Sequence, residues 1–431
     1  MKSVNKYYNL AKNVLFPICR SLTGKGTLKT LKIIKKEFPD LKIHTIRSQT
    51  KVFDWKIPSE WNISDAYVID KFGTKIIDFK KNNLHLLGYS IPVNKKCNKK
   101  ELLNHIYYLK KQPNAIPYTT SYYNKRWGFN ITYNQKKQFD KKYKNKDKFK
   151  VIIKSELNSN GNLNYGELII KGKSNEEILI STYVCHPSMA NDQLSGPIAS
   201  MCLINYFKSV KKLKKTLRFI FIPETIGSIA FLSKNLKYLK KRLIGGYALS
   251  CIGDERNHSC VFSRFENSLS DDSLKEAYKK LNIKNYKSYS FLHRGSDERQ
   301  YNSPGVDLPI PLICRSKPNL YKEYHTSLDD FNLVTQKGIV GGFAVAKTAI
   351  NILLEKTIPK NLVLCEPQMG KRGLYNTLSM KRKFDITRSY MDFLQYADGK
   401  NSLEKISEKI NLNLKVTKKI YNKLKKNNLI I

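Results

Sequence analysis

The chain lacks the marks of several classes of protein. No run of about 18 apolar residues occurs in its 431 residues, so we expect no membrane span. Its first residues carry only short apolar stretches interrupted by Lys6 and Lys12, a pattern that does not match a signal peptide. Its 8 cysteines are scattered without a Cys-x-x-Cys pair, which argues against a zinc ribbon and a disulfide framework. We therefore expect a cytoplasmic protein.

Acidic residues are also scarce. The 35 acidic residues face 78 lysines and arginines, which gives a formal net charge of +43. Such a charge would suit a nucleic acid, an anionic polymer or a membrane surface. The lysines are spread along the whole chain, however, together with abundant Asn, Ile and Tyr, as an AT-rich genome would produce. We favour compositional drift, because a binding surface should gather its charge on one face.

The pattern of the chain predicts more than one domain. From about residue 148 to 358, buried strands alternate with helices, which indicates an α/β core with a mostly parallel sheet and helices on both faces. An inserted all-β segment contains all three tryptophans, which we interpret as core residues rather than a sugar-stacking surface. The predicted domains are the α/β core (1–50 and 136–358), the inserted β domain (51–135) and a C-terminal domain of three short helices (372–431).

Individual elements of the core follow from the same pattern. Residues 1–50 read as helical, and Thr335 is placed to cap a long helix over 335–354. The other predicted helices cover 196–210 and 228–239. The predicted strands of the core are 149–157, 165–170, 178–185, 217–222, 246–252 and 311–314.

Ionisable side chains follow four of these strands, where active groups of parallel sheets gather. Two imidazoles and several carboxylates are a ligand set that zinc accepts, and catalytic zinc sites keep one position open for water. The sequence therefore predicts a metal site for one or two zinc ions. The candidate ligands are His186 and Asp192 after the strand 178–185, Glu224 after 217–222, Asp254 after 246–252, and His325 after 311–314.

Four short motifs around these residues resemble the zinc aminopeptidases with co-catalytic metals, a family that includes the glutaminyl cyclases. The resemblance covers about 148–355 and the N-terminal helices. It implies that His186 binds one metal, that Asp192 bridges, and that Glu224 and His325 bind the other. The motifs are Asn191-Asp192 with Ser195-Gly196, Glu224 with Gly227-Ser228, Ser296-Asp297-Glu298 with Gly305, and Tyr324-His325-Thr326 with Asp329.

A further resemblance spans nearly the whole chain. It is to an uncharacterised bacterial family that joins an aminopeptidase-like domain to an inserted β domain and a C-terminal winged helix. Members are often found among polysaccharide biosynthesis genes, which implies a context rather than a reaction. The segments that carry it are Phe53-Asp54-Trp55, Pro58-Ser59-Glu60-Trp61, Tyr165-Gly166-Glu167-Leu168, Cys185-His186-Pro187-Ser188 and Gly295-Ser296-Asp297-Glu298.

Two positions depart from the aminopeptidase pattern. Pro223 stands where that family carries the first of two adjacent glutamates, its general base, and Ser250 stands where it carries a metal-binding aspartate. Three alternatives remain open. Glu224 acts as base rather than ligand; or Asp254, Asp297 or Glu298 replaces the missing groups, with Glu298 the preferred base; or the site holds one zinc and performs no hydrolysis.

The leading hypothesis is thus a zinc-dependent aminopeptidase-like hydrolase acting on a peptide-like or amino-bearing small substrate. One rival is a degenerate binding module of a polysaccharide pathway, and another is a regulator that binds DNA through the C-terminal domain. The last helix has six lysines but no arginine, the residue most used to read guanine, so we favour docking or oligomer contact over specific DNA binding. Formation of a homo-oligomer stays open.

Overall fold

The N-terminal segment supplies two helices and an edge strand. A computed structural model describes residues 2–375 and 386–431. Helix α1 (Lys2–Leu10) continues as one π-helical turn (Ala11–Leu15) and is followed by α2 (Lys25–Glu37). Strand β1 (Lys42–Arg47) comes next, within the region 1–50 that the sequence predicted as helical. Its pairing partner lies more than a hundred residues away in the chain, so the local pattern did not reveal it.

The second segment builds a four-stranded antiparallel sheet in the order β5-β4-β9-β6. Trp61 and Trp127 are buried, as expected of core residues, whereas Trp55 is exposed. Strand β9 contains the segment 149–157 that the sequence assigned to the α/β core, so hydrogen bonding of this sheet extends past the predicted boundary at residue 135. The elements are β2 (Lys51–Val52), β3 (Trp55–Lys56), β4 (Glu60–Ile69), β5 (Lys75–Asp78), β6 (Val93–Asn98), α3 (Lys99–Leu103), β7 (Ile106–Tyr107), β8 (Phe129–Asn130), α4 (Tyr133–Lys142) and β9 (Lys148–Asn158).

The third segment completes an eight-stranded sheet in the order β1-β10-β12-β11-β13-β16-β14-β15. The four central strands β12, β11, β13 and β16 run parallel, whereas β1–β10, β10–β12 and β14–β16 pair antiparallel. The α/β prediction is confirmed, with antiparallel strands towards the edges. The elements are β10 (Asn162–Ile170), β11 (Glu177–Tyr183), α5 (Ser195–Lys208), β12 (Thr216–Ile222), α6 (Ile226–Arg242), β13 (Leu243–Leu249), β14 (Ser259–Val261), α7 (Leu269–Lys280), β15 (Lys287–Tyr289), α8 (Glu298–Tyr301), β16 (Leu312–Cys314) and α9 (Gln336–Glu355).

Alternating side chains of the central strands enter two separate hydrophobic cores. Ile178 and Ile180 of β11 pack with residues of α1, α5 and α9 on one face of the sheet. Leu179, which points the other way, packs with α6 and with the inserted domain. Strand residues alternate between faces, and β11 is buried along its whole length, with an apolar run at Ile178–Ile180. The insert therefore covers one face of the sheet and reaches towards its carboxyl edge.

Helix α9 is the one helix in the described part of the chain that is long and apolar enough to cross a membrane, with a mean hydropathy of 1.4. Its apolar side chains, among them Ala346, Ile350 and Leu353, are instead buried against the sheet and neighbouring helices, as in a core helix. Thr335 caps it as predicted, because its side chain accepts a hydrogen bond from the backbone N–H of Gly338 at 2.9 Å.

The C-terminal helices form a core of their own around Phe393, Ile406 and Leu424. They are α10 (Ile386–Tyr396), α11 (Leu403–Lys409) and α12 (Leu414–Lys426). Ser402 caps α11 through the backbone N–H of Lys405, as predicted. The part of the predicted domain that covers 376–385 lies outside the described residues. The α12 lysines are exposed, namely Lys415, Lys418, Lys419, Lys423, Lys425 and Lys426.

Candidate metal centre

His186 lies just beyond β11 and is held there by Gln193. The buried Gln193 side chain accepts hydrogen bonds from the backbone N–H groups of Cys185 (2.9 Å) and His186 (2.6 Å), and it donates to the carbonyl of Tyr183 at 2.8 Å. Burial lowers the pKa of His186 to about 4, so the ring is neutral at pH 7. Its Nδ1 lies 3.2 Å from the carbonyl oxygen of Asp192, which can only accept. The proton is therefore on Nδ1, and Nε2 keeps a free lone pair.

Asp192 lies in a π-helical turn (Ala190–Leu194) ahead of α5. The buried carboxylate of Asp329 fixes this turn by accepting hydrogen bonds from the backbone N–H groups of Asn191 (2.6 Å) and Asp192 (2.9 Å). The Oδ1 atom of Asp192 accepts a 2.6 Å hydrogen bond from the hydroxyl of Tyr183. Burial opposes ionisation, but the adjacent His325 and this hydrogen bond outweigh it and hold the pKa of Asp192 below its usual value.

His325 reaches the site from the long loop between β16 and α9. Its backbone φ is +55°, a conformation that is uncommon for residues other than glycine. Two tyrosines support it. The ring of Tyr324 stacks on its imidazole with centroids 4.0 Å apart, and the backbone N–H of Tyr118, from the inserted domain, donates to its carbonyl at 2.8 Å. Tyr118 also presents its ring edge-on to His186, at 5.3 Å between centroids.

The side chains of His186, Asp192 and His325 converge. One donor atom from each lies within 4.8 Å of the other two, and Nε2 of His325 is 2.9 Å from Oδ2 of Asp192. Apart from this ion-pair contact, neither atom makes a hydrogen bond to any residue that the structure describes, although both are shielded from solvent. Buried polar atoms are almost always hydrogen-bonded, so two neighbouring acceptor atoms without such a bond fit a cation that both would contact. Two imidazoles and one carboxylate suit zinc or a similar divalent ion.

Glu224 stands beside this cluster, with Oε2 at 3.5 Å from Nε2 of His186. Its side chain is 17% exposed, whereas those of His186 and Asp192 are almost fully buried. Burial raises the pKa of the Glu224 carboxyl, and the nearby carboxylates of Asp297 and Asp192 raise it further. The next residue, Thr225, has a φ of +62° and a ψ of −79°, which is strained for a β-branched side chain.

The structure gives Asp297 a role in holding that strained turn. Its Oδ1 accepts hydrogen bonds from the backbone N–H of Thr225 (2.8 Å) and the hydroxyl of Ser228 (2.7 Å) at the start of α6. Burial raises the pKa of Asp297 to about 6 despite these hydrogen bonds. Arg299 also donates to the hydroxyl of Thr225. Asp297 is therefore near Glu224 but acts on the backbone beneath it.

Two predicted site residues lie apart from the cluster. Glu298, the preferred base, turns into its own loop, where its carboxylate accepts from the backbone N–H groups of Gly295 (2.7 Å) and Ser296 (3.1 Å). Asp254 accepts from Ser316 at both carboxylate oxygens and from the side chain of Asn191. Both are fully buried, and local hydrogen bonds use their oxygens. The structure thus shows both carboxylates holding loops, outside the group of His186, Asp192 and His325, and a catalytic or ligand role for either stays a prediction.

Sequence reasoning missed the residues that shape the centre from outside the motifs. Tyr183 is the last of the seven residues of β11, and nothing in the pattern shows that its hydroxyl reaches Asp192. Tyr118 lies in the insert, and only tertiary packing brings it to the two histidines. Gln193 lies between the two halves of the motif Asn191-Asp192 with Ser195-Gly196, and this position near the end of β11 was the one signal that the sequence offered.

Solved structures show which known fold this chain has. The chain is similar to BSAP, a zinc aminopeptidase from Bacillus subtilis, with a TM-score of 0.56 and 14% identity over 81% of this chain and 93% of that one. It is also similar to a peptidase M28 precursor from Shewanella amazonensis, with a TM-score of 0.56 and 10% identity over 82% and 93%. At these identities the likeness shows the fold, which is aminopeptidase-like.

The chain belongs to the family described as "Domain of unknown function (DUF4910)", which matches residues 8–356. Residues 357–431 match a winged helix-turn-helix family. The chain is 40% identical over 427 residues, 95% of it and 94% of the relative, to a Clostridium acetobutylicum protein named "Putative polysaccharide biosynthesis protein with aminopeptidase-like domain". The crystal structure of a "putative peptidase" from the same organism has a TM-score of 0.79 and 38% identity, covering 100% of this chain and 96% of that one. Both resemblances noted from the sequence are confirmed.

Proposed function

We propose that this chain is a zinc-dependent, aminopeptidase-like hydrolase that cleaves an amide bond next to a free amine. The observation that carries the proposal is the pair of unpaired, buried atoms, Oδ2 of Asp192 and Nε2 of His325, facing each other at 2.9 Å. With Nε2 of His186 they make three protein ligands and leave a fourth position for water or substrate, which is the pattern of catalytic rather than structural zinc sites.

The surroundings of Asp192 support one zinc ion rather than two. A bridging aspartate needs both oxygens, but Oδ1 of Asp192 already accepts the hydroxyl of Tyr183. The same hydroxyl contacts Ser250, the position where the aminopeptidases that the chain resembles carry a metal-binding aspartate. The Tyr183–Ser250 pair thus takes the place of a second ion and its ligand.

Glu224 is the residue that we assign to proton transfer. A bound zinc would polarise the substrate carbonyl and make a water molecule more acidic. Glu224 lies beside His186, is open to the site and has a raised pKa, so it can take a proton from that water and return it to the departing amine. The rings of Tyr118 and Tyr324 border the histidines.

The context of the substrate comes from the Clostridium relative, whose name places it in polysaccharide biosynthesis. We extend this context to the present chain and propose an amino-bearing sugar or a peptide-like amide as the substrate class. A cytoplasmic location is part of the proposal, because all eight cysteines are free thiols and six of them are buried, as in proteins of reducing compartments.

A second candidate is a binding module that holds zinc and an amino-bearing ligand without hydrolysing it. Pro223 and Ser250 favour it, because they remove the general base and one metal ligand of the aminopeptidases that the chain resembles. The two candidates differ in what Glu224 does, since a binding module needs no proton carrier.

The test combines zinc content with turnover in wild type and in Glu224→Gln. With a panel of aminoacyl and amino-sugar amides as substrates, we expect Glu224→Gln to keep its zinc and lose about 100-fold or more in kcat. Glu408→Gln, on the exposed face of α11, is the matched control and should equal wild type. Zinc bound without turnover on any amide would favour the binding module, and wild-type protein without tight zinc would refute both.

A further inference from the structure

A second cleft lies on the same edge of the sheet, beyond the ends of β13 and β16. It has a volume of about 580 Å³, within the range of small-molecule sites. Its lining is rich in nitrogen donors: Arg256 and His258 come from the segment after β13, Lys284 from the connection between α7 and β15, and Arg315 from the end of β16. Three asparagines and Glu255 complete the polar wall. None of His186, Asp192 and His325 contributes to it.

Arg315 is the unusual member of this lining. Its residue is only 7% exposed, and its backbone is fixed by hydrogen bonds to Cys251 and from Ser259, both at 2.7 Å. Its guanidinium makes no hydrogen bond and no ion pair with any residue that the structure describes, and Nε is fully shielded. A buried charge without a partner is costly, and buried arginines are normally paired with carboxylates or phosphates.

Nearby acids do not supply that partner. Asp254 is close enough to affect Arg315, but Asn191, Arg256 and Ser316 occupy its oxygens. Glu255 is held by the hydroxyl of Thr335 and by Lys337. Burial accordingly lowers the pKa of Arg315 more than these two acids raise it.

The neighbouring cationic residue Arg256 is already compensated. It binds both carboxylate oxygens of Glu323, at 2.8 and 2.9 Å. His258 has a pKa lowered to about 4 by burial and by the adjacent Arg315, so it is a neutral ring near pH 7. The uncompensated charge of the cleft thus sits on Arg315, with Lys284 at the rim.

Helix α9 is shaped to receive the Arg315 side chain. A Cβ atom at Gly341 would lie 2.0 Å from Nη1 of Arg315 and 3.4 Å from Cε1 of His258. A side chain at this position would push the end of Arg315 aside, whereas glycine lets the guanidinium and the imidazole lie side by side against the helix. This is a built arrangement, in contrast to the lysines scattered over the rest of the surface.

We propose that this cleft binds the phosphate group of a small phosphorylated molecule, with Arg315 as the principal cation and His258 beside it. The planar guanidinium matches the geometry of phosphate oxygens, and Arg256, His258 and Lys284 are further donors. The volume exceeds what one phosphate fills, which favours a phosphate carried on a larger molecule. This site stands independently of the metal centre and of the proposed hydrolysis.

The test is calorimetric titration of the full-length protein with inorganic phosphate and with ADP, at about 0.15 M salt. We expect Arg315→Gln to raise the Kd for ADP by about tenfold or more, since a charge-assisted pair is lost. Arg388→Gln removes the same charge from the exposed side of α10 and should leave the Kd unchanged. If wild type binds ADP more tightly than inorganic phosphate, the cleft recognises a phosphate carried on a larger molecule. If the two Kd values are equal, the cleft recognises the phosphate group alone.

Equal Kd values for Arg315→Gln, Arg388→Gln and wild type would overturn the proposal, because attraction to a +43 protein would then suffice. A measurement on wild type covers the case in which Arg315→Gln does not fold. The His258 signal, assigned by comparison with His258→Asn, should show an upward pKa shift of about one unit in NMR titrations with saturating ADP, because a nearby anion favours imidazolium. An unshifted His258 would also overturn the proposal.

Discussion

Replacing Gln193 with Leu tests how the end of β11 positions His186. Leucine has a similar size but cannot accept the hydrogen bonds from the N–H groups of Cys185 and His186 or donate to Tyr183. Gln193 is 1% exposed, so water cannot replace it. Each buried N–H left unpaired costs about 1–3 kcal/mol, so the two N–H groups predict a loss of about 2–6 kcal/mol in the free energy of unfolding.

Urea unfolding of the metal-free protein measures this loss, and competition with a chromophoric chelator measures zinc affinity. We expect affinity to fall by about 10–100-fold, because Gln193 orients a ligand without contacting the ion. Gln138→Leu, on the exposed side of α4, is the matched control and should change stability by less than about 0.5 kcal/mol. If Gln193→Leu resembles Gln138→Leu in both assays, the strand end does not hold His186 as described.

Three further predictions address the metal count, the sheet and the basic tail. Tyr183→Phe combined with Ser250→Asp frees Oδ1 of Asp192 and supplies a ligand, so zinc per chain should rise from about one to about two by elemental analysis. An unchanged zinc count would show that the Tyr183–Ser250 pair is not what limits the site to one ion. Arg218→Gln removes the cation shared by the buried carboxylates of Glu167 and Glu177, which should cost about 3–5 kcal/mol in urea unfolding. A loss under about 1 kcal/mol would show that protonation, water or their remaining partners His44 and Tyr238 compensate the carboxylates. Neutralising the α12 lysines should weaken duplex DNA binding equally on unrelated sequences in fluorescence anisotropy, since exposed lysines contact phosphates; loss confined to one sequence would indicate specific recognition.

The sequence predicted the fold where local pattern decides it. Apolar runs located β11, β12 and β13 to within a few residues, and Thr335 and Ser402 cap their helices as expected. The pattern did not predict which sheet a strand joins where hydrogen bonds to distant strands decide it. The segment 149–157 alternates like any half-buried strand, and only its hydrogen-bond partners β4 and β6 place it in the second sheet. Strand β1 was missed for the same reason.

The candidate site likewise contains residues that the sequence pattern could place and residues that it could not. Residues directly after strand ends come together because parallel strands share an edge, which brings His186 and Glu224 side by side. Glu298 lies in a motif too, but its carboxylate closes a turn with Gly295, a local hydrogen bond that composition does not reveal. Tyr118 reaches the centre from another domain, so its contact depends on tertiary packing alone.

The central claim is that His186, Asp192 and His325 hold one zinc ion. Elemental analysis of protein purified without added metal tests it most directly, in wild type, His186→Ala and His325→Ala. His44→Ala is the control, because His44 lies on the edge strand β1 and contacts Glu167 and Tyr165. We predict about one zinc per chain in wild type and His44→Ala, and almost none in the other two. Zinc-free wild type, or zinc retained in both His186→Ala and His325→Ala, would contradict the claim.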